Sequence, residues 1–376
     1  MDPEVRATAL SSYSLVFSNL SIIIYTIMTK IKFYLTVLLL FSLLAGCKPK
    51  VSGKDSPNNP TSETKLDHLV IWEVFYSGSW REQGYADMKP MYIKIFNPTE
   101  EPKYLDGLCL AISRHTTNDL TEVKLDNPDN NFFKTNFAME EILQFPGTGQ
   151  EYAIKPGATI LIAKMAIDFT KDNPSSEEKG NPLSMDLSKA GFEWYSTSEQ
   201  FGFEDCEDNT SIPNLKRNFF YSGNADKGLD PTNRTLVLFE AKDKEYFTKI
   251  GKEDSEYYKK YSITMHYHHG GSYDLNLTAP IVPNEWIVDA VNISPINDYK
   301  MKNISETLDG GWFGVSQRTI PISGMKRENT GLAMRRKWNG KSYEDTNNSS
   351  HDFEVVPASL QTAQEAQSGK KQSEAQ

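Results

Sequence analysis

The sequence is poor in cysteine, in positive charge and in long apolar runs, and each shortage excludes a class of protein. Three cysteines in 376 residues are too few for a disulfide-rich scaffold, an iron–sulfur protein or a four-cysteine zinc site. The net charge of -10 argues against nucleic-acid binding, which depends mainly on lysine and arginine contacts to phosphate. Hydrophobic residues make up 38% of the chain, too few for a polytopic membrane protein, whereas 11% aromatic residues are too many for a disordered chain.

Catalytic motifs are also missing. The chain contains no Gly-x-Ser-x-Gly, no His-Glu-x-x-His and no dinucleotide-binding glycine pattern. Gly340-Lys341-Ser342 matches the end of a phosphate-binding loop, but Arg335 occupies the position of the required glycine. We therefore expect a non-catalytic protein, with a hydrolase whose residues lie in long loops as the less favoured alternative.

The strongest signal that is present lies near the N-terminus. Two lysines precede the apolar run 33–44, which is too short to span a bilayer comfortably and is typical of a signal peptide. The run ends in Leu44-Ala45-Gly46-Cys47, which resembles the bacterial lipobox, whose cysteine sulfur carries diacylglycerol. We interpret residues 28–46 as a lipoprotein signal peptide and Cys47 as the lipidated residue that attaches the protein to a membrane.

Residues 1–27 fit poorly in front of such a signal peptide because they carry Asp2 and Glu4 and a second, weaker apolar segment. We predict that they are an upstream extension and that translation begins at Met28. Removal of the first 46 residues, whose net charge is +1, leaves a mature chain of 330 residues with a net charge of -11.

Polar segments flank the body of the protein. Residues 47–65 are rich in lysine, proline, serine and asparagine and are predicted to form a flexible tether. Residues 358–376 are rich in glutamine, alanine, serine, glutamate and lysine and are predicted to be a disordered tail. The folded body is expected to cover 66–357.

Within the body, short β-branched and aromatic runs predict strands, and no long stretch shows the 3.6-residue period of a helix. These runs cover 69–76, 91–96, 108–112, 159–163, 235–239 and 286–292. Their spacing is uneven, so long loops must interrupt the sheets. The pattern predicts an all-β protein.

The order of these motifs resembles the lamin-tail-like domain, an immunoglobulin-like β-sandwich. The matching pieces are Leu69–Tyr76 with Glu73 at an acidic position, Tyr92–Pro98 followed by Leu105–Leu108, Lys155–Gly157 before Ile160–Ala163, and Arg335–Lys337 followed by Asp345–Ser349 and Asp352-Phe353. The sequence departs from this family at Lys94, where glutamate is usual, and at Leu108, where tryptophan is common. The resemblance implies a sandwich with long loop insertions.

Residues 185–194, together with the closing motif, resemble a family of Bacteroidota outer-membrane lipoproteins of unknown function, and the resemblance spans most of 66–357. Members tend to be encoded beside TonB-dependent receptors, so the resemblance implies an outer-membrane location and a receptor as partner, but no chemistry. Lysines rather than acidic residues follow Cys47, which leaves open whether the protein faces the periplasm or the cell surface.

Three histidines cluster at His266, His268 and His269. On a strand, the first two would share a face about 7 Å apart, a spacing that can hold zinc, copper or haem iron. This cluster carries the alternative hypothesis of a haem- or metal-scavenging lipoprotein. A polar strand end before the Gly270-Gly271 turn is the simpler interpretation.

The closing motif offers further candidates. Arg335 and Arg336 are predicted either to contact an anionic ligand or partner, or to pair with Glu344 or Asp345. Residues 345–349 begin like a calcium loop but lack the EF-hand glycine and glutamate, so we expect their side chains to bond local backbone instead.

Two other candidates remain. Trp312 lies in a glycine-rich loop and is expected to be exposed and to contact a ligand or partner. Cys109 and Cys206 remain after lipidation of Cys47, and a disulfide between them would close a loop of about a hundred residues. The alternative is that Cys109 is a buried free thiol within its strand.

Overall fold

The computed structural model describes residues 66–118, 123–126, 130–174, 178–194, 208–221, 229–267 and 270–374. The strands of these ranges are β1 (Val70–Phe75), β2 (Ser79–Arg81), β3 (Tyr85–Asp87), β4 (Tyr92–Phe96), β5 (Lys103–Tyr104), β6 (Leu108–Ser113), β7 (Val123–Asp126), β8 (Asn136–Gln144), β9 (Ala153–Ile154), β10 (Thr159–Ala163), β11 (Phe192–Glu193), β12 (Lys216–Phe220), β13 (Thr235–Glu240), β14 (Tyr258–Tyr267), β15 (Ser272–Pro283), β16 (Ile287–Asn292), β17 (Leu332–Arg336) and β18 (Phe353–Pro357). The α-helices are α1 (Asn130–Thr135), α2 (Tyr246–Lys249), α3 (Ser349–Asp352) and α4 (Ala363–Glu374), and 3-10 helices cover Asn284–Trp286, Ile322–Gly324 and Arg327–Asn329.

Most strands belong to two large sheets. The six-stranded sheet has the order β11-β10-β4-β1-β17-β18, and its pairs are antiparallel except for β10 with β11. The eight-stranded sheet has the order β16-β13-β6-β8-β15-β14-β7, with β12 also paired to β8. The predicted all-β sandwich with long loops is confirmed, and no helix in the described ranges is long and apolar enough to cross a membrane.

The main core lies between the two sheets. Side chains from β1 and β4, such as Ile71 and Ile95, pack in one cluster with Leu110 of β6 and Leu238 of β13. The outer faces are covered as well, because α1, α2 and Trp286 cover the eight-stranded sheet. Burial on both faces explains why the predicted strands are continuous apolar runs rather than strictly alternating ones.

The C-terminal segment differs from its prediction. Residues 363–374 form α4, and Ala363 and Ala366 are buried against Trp72 and Phe96 on the outer face of the six-stranded sheet. Tyr343 holds the start of this helix by donating its hydroxyl to the Ala363 carbonyl at 2.7 Å. The small side chains that make the segment look disordered in the sequence allow this close approach. The other predicted segments, 1–27, 28–46 and 47–65, lie outside the described residues.

Candidate functional site

A pocket lies at one end of the sandwich. Tyr76 follows β1, Met91 precedes β4 and Lys164 follows β10, and because these three strands are antiparallel neighbours the three residues share one end of the sheet. The rest of the lining comes from Ser77 and Met88, from residues 230–233 before β13, from Pro295 after β16 and from the 315–329 loop before β17. The pocket has a volume of about 210 Å³.

The lining is largely apolar. Its apolar side chains are Met88, Met91, Pro295, Val315, Ile320, Ile322 and Met325. Methionine is flexible and polarisable, so three methionines can adapt to an irregular apolar ligand. Ile322 lies in a 3-10 helix and is 65% exposed, which leaves an apolar group at the pocket in contact with water.

Tyr76 fixes the loop that closes one side of the pocket. Its hydroxyl oxygen accepts a hydrogen bond from the Val315 backbone N–H at 3.0 Å. Burial raises the pKa of Tyr76 well above its usual value, so the hydroxyl stays neutral. The neighbouring Gly314 has no room for a side chain, since a Cβ would lie 2.3 Å from the Ser294 carbonyl oxygen. The 315–329 loop is therefore held closely against the strand ends.

Two charged groups in the pocket do not pair with each other. The Lys164 backbone N–H bonds to the Met91 carbonyl at 2.9 Å, but its ammonium has no hydrogen-bond or ion-pair partner among the described residues. Asp230 accepts the Thr232 N–H at 2.9 Å and does not pair with Lys164. The Thr232 hydroxyl is buried without a partner. Lys164 and Asp230 are half-buried and line the pocket, so both charged groups are available to a ligand.

This pocket was not predicted from the sequence. The lining residues come from six separate segments, which only the fold brings together. The one local peculiarity is Asn233, which lines the pocket with a positive φ of 55°. No motif in the sequence marks Lys164 or Asp230.

Arg335 belongs to a buried cluster on the outer face of the six-stranded sheet, a group formed by Glu73, Tyr92, Lys94 and Arg335. Lys94 Nζ lies 2.9 Å from Glu73 Oε1, the Tyr92 hydroxyl donates to the same oxygen at 2.5 Å, and Arg335 pairs with Glu73 Oε2. Arg335 is only 7% exposed. This corrects the expectation of a ligand-contacting Arg335, whose partner is Glu73 rather than Glu344 or Asp345.

The C-terminal segment covers this Glu73 cluster. Lys94 Nζ also donates to the carbonyls of Ser359 and Gln361 at 2.6 and 2.9 Å. Both Lys94 and Arg335 lie over the Trp72 ring, 5.3 and 5.0 Å from its centre. Burial lowers the pKa of Lys94, and the charge of Glu73 opposes that shift. The buried lysine at position 94 is thus paired with Glu73.

Arg336 is the centre of a second buried network. Its Nη2 lies 2.8 and 2.9 Å from the two carboxylate oxygens of Asp289, and its Nη1 lies 3.1 Å from Asp345 and 3.3 Å from Asp352. The side chain is 1% exposed, so Arg336 also contacts no surface ligand or partner. The predicted pairing with Asp345 is present.

His68 joins this network by its 3.0 Å contact with Asp345. The hydrogen bond to Asp345 raises the pKa of His68 to about 9, and His68 and Arg336 lower the pKa of Asp345 to about 2 against the effect of burial. Both partners are therefore charged between these values. The stability that the folded protein gains from the raised pKa of His68 is fully present below about pH 6.5. It is lost as the pH rises through about 9.

The calcium-like segment 345–349 uses its oxygens inside the fold. Asp345 is occupied by Arg336 and His68, and Asn348 accepts the Ser350 N–H at 3.1 Å as the N-cap of α3. The Asn348 contact matches the expected bonding to local backbone, whereas Asp345 bonds the side chains of Arg336 and His68 instead. None of these contacts indicates a calcium site at residues 345–349.

Trp312 is not an exposed platform. Its ring stacks on Tyr299 with 4.3 Å between ring centres and an angle of 5°, and its Nε1 donates to the Ile296 carbonyl at 3.0 Å. The side chain is half-buried rather than fully exposed. Contact of Trp312 with a ligand or partner stays a prediction.

His266 lies near the end of β14 and pairs in register with Ser272. His268 and His269 lie outside the described residues, and within the ranges that the structure covers no group of three His, Cys, Asp or Glu side chains is placed to hold a metal ion. A zinc or haem site at this cluster stays a prediction.

Cys109 is fully buried in β6, and burial raises the pKa of its thiol. Cys206, its predicted disulfide partner, and Cys47, the predicted lipidation site, both lie outside the described residues. The disulfide and the lipidation stay predictions.

Two buried carboxylates have pKa values raised to about 7 by burial, Glu141 and Glu193. Glu141 accepts Arg217 Nε at 2.7 Å, and Glu193 accepts the backbone N–H groups of Ala166 and Asn209 at 2.7 and 2.8 Å. Neither residue lines the pocket. Both therefore act as internal anchors and not as an acid–base pair of the candidate site.

Comparison with known proteins places this fold in a wider group. The family model described as "Protein of unknown function (DUF4876)" matches residues 155–359. The crystal structure of a DUF4876 family protein from Bacteroides thetaiotaomicron matches with a TM-score of 0.58 and 22% sequence identity, covering 78% of this chain and 72% of that one. No curated protein matches the chain. The solved structure supports the fold alone.

Proposed function

The chain belongs to the DUF4876 family, and from that premise we propose that it is a lipid-anchored, non-catalytic protein of the cell envelope that holds a small ligand in the Lys164–Asp230 pocket. The observation that carries the proposal is the pair of charged groups, Lys164 and Asp230, that line a largely apolar pocket without pairing with each other. A fold that keeps two such charges at the end of a well-packed sandwich favours binding of a ligand there.

The envelope location and the partner are supported by the sequence. The lipobox at Cys47 supports attachment to the outer membrane, and the resemblance to lipoproteins encoded beside TonB-dependent receptors supports such a receptor as the partner to which the ligand is presented. A crosslinked pull-down from native outer membrane checks the partner. A stoichiometric TonB-dependent receptor supports it, and recovery of the protein alone counts against it.

The motif order supports a further proposal, that the sandwich is of the lamin-tail-like type. Superposition on solved lamin-tail domains checks it, since a different strand order would rule it out.

Substitution of Cys47 by alanine tests the anchor. We expect Cys47→Ala to abolish incorporation of an alkyne-labelled fatty acid in cells, because the thiol is the only acceptor of the diacylglycerol group in the lipobox. Cys109→Ala is the matched control and should keep the label, since that thiol is buried in β6. Equal labelling of Cys47→Ala and the parent protein would exclude the proposed anchor.

Filling the pocket tests ligand binding. The protein is purified from its native membrane in mild detergent and denatured, and released small molecules are measured by mass spectrometry. We expect Met325→Trp to reduce the released ligand at least tenfold, because the larger ring occupies the pocket. Val355→Trp, at an exposed position of β18 outside the pocket, should release as much as the parent protein. No ligand from the parent, or equal release from Met325→Trp, would overturn the proposal.

A further inference from the structure

The polar groups of the pocket limit the chemistry of its ligand. We infer that the Lys164–Asp230 pocket takes a small zwitterion with an apolar body, the chemistry of a free apolar α-amino acid. Its carboxylate would meet Lys164 and its ammonium would meet Asp230. The inference rests on the proposed function and names the ligand class for the same pocket.

The two charges are the first argument. Lys164 is half-buried and its ammonium has no partner in the described part of the chain, so an anion placed there gains a charge-assisted hydrogen bond. Asp230 is half-buried too and keeps only its bond to the Thr232 N–H. The two side chains do not approach within ion-pairing distance of each other. A ligand with one charge would pair with only one of these two groups.

The size of the pocket is the second argument. Its volume of about 210 Å³ is below the roughly 300–1,000 Å³ typical of sites for drug-sized molecules. The space therefore suits a molecule of amino-acid size better than a long acyl chain. The flexible Met88, Met91 and Met325 side chains can enclose a branched or unbranched apolar group.

The test compares three ligands on the full mature lipoprotein in mild detergent. L-leucine carries both charges, isocaproate lacks the amine, and isoamylamine lacks the carboxylate, while all three have the same branched apolar end. Titration calorimetry or ligand-observed NMR is expected to show leucine binding at least tenfold more tightly than either analogue. Equal affinity for leucine and isocaproate would overturn the zwitterion inference.

Two variants assign the charges. Lys164→Met should weaken leucine and isocaproate at least tenfold and leave isoamylamine unchanged. Asp230→Asn should weaken leucine and isoamylamine and leave isocaproate unchanged, and asparagine retains an oxygen to accept the Thr232 N–H. Lys171→Met, at a lysine outside the pocket, is the control for loss of a positive charge. A Lys164→Met protein that binds leucine as tightly as the parent would overturn the inference.

The outcomes separate this inference from the proposed function. If leucine, both analogues and uncharged isohexanol bind equally, and Met325→Trp blocks all of them, the pocket binds ligands but not by their charges. If none of them binds and no small molecule is released from the native protein, both proposals fail. The comparison of ligands on the unmutated protein distinguishes these cases even where a variant does not fold.

Discussion

Replacing Glu73 by leucine is expected to lower the free energy of unfolding by about 3–5 kcal/mol, the usual cost of breaking a buried ion pair by removing one partner. Glu73 is fully buried and bonds Lys94, Tyr92 and Arg335 at once. Without it two buried cations lie close together over the Trp72 ring. Loss of the Glu73 charge also removes the main influence that opposes the lowering of the Lys94 pKa.

Denaturant unfolding followed by tryptophan fluorescence measures this effect. Glu82→Leu makes the same chemical change at an exposed position of the chain and should hardly move the midpoint. Adding Lys94→Leu to Glu73→Leu should recover at least about 1 kcal/mol, since the second change removes one of the unpaired charges. If the loss in free energy of unfolding of the double variant equals the sum of the two single-variant losses, Glu73 and Lys94 do not stabilise each other.

Replacing Arg336 by methionine is expected to be as damaging, with a loss of about 3–5 kcal/mol near neutral pH. Methionine fills a similar volume but leaves the buried carboxylates of Asp289, Asp345 and Asp352 without their shared cation. It also leaves the Ile71 carbonyl without the Arg336 Nε–H that bonds it at 3.0 Å. The single positive charge of the half-exposed His68 cannot balance the negative charges of three carboxylates.

The pH dependence identifies the cause of this loss. Burial raises the pKa of Asp289 to about 6 against the charge of Arg336, and without Arg336 that pKa rises further, so protonation of Asp289 favours the folded variant. The stability gap between variant and parent should therefore narrow as the pH falls from about 8 to about 5. Arg318→Met, at an exposed arginine, is the control and should show no gap. A gap of constant size would point to lost packing rather than to unpaired charge.

The fold could be predicted from the sequence where burial dictates the residue type. β1, β4, β6, β10 and β13 are apolar runs because both faces of their sheets are covered, and all of them lie where the runs predict them. The strand β8 was missed because Glu140 and Glu141 interrupt its apolar pattern, and their partners Arg114 and Arg217 are distant in sequence. The sequence indicates only the end of β14 before the Gly270-Gly271 turn and not the whole β14–β15 hairpin, because the exposed face of the hairpin is polar, as the bond between Thr264 and Asp274 shows.

The candidate site could not be predicted, for a physical reason. Two consecutive arginines in a sequence usually indicate a charged surface patch. Only the fold shows that Glu73, 262 residues away in sequence, lies beside Arg335. The same holds for Lys164, which is an ordinary lysine in the sequence and becomes distinctive by lacking a partner in the pocket. Sequence patterns report local burial, whereas a binding site depends on which distant loops meet.

Because β1 lies between β4 and β17, the six-stranded sheet can finish folding only late in synthesis. The first strand of the body obtains its second neighbour only when residues 332–336 have been synthesised, and pairing over such a distance is slow because loop closure precedes the contacts. At the proposed envelope location, such a delay would keep the chain unfolded and able to pass through a secretion channel. A chain cut short before β17 would retain an open strand edge beside an uncovered Lys94, and proteases that remove unfinished products would meet it first.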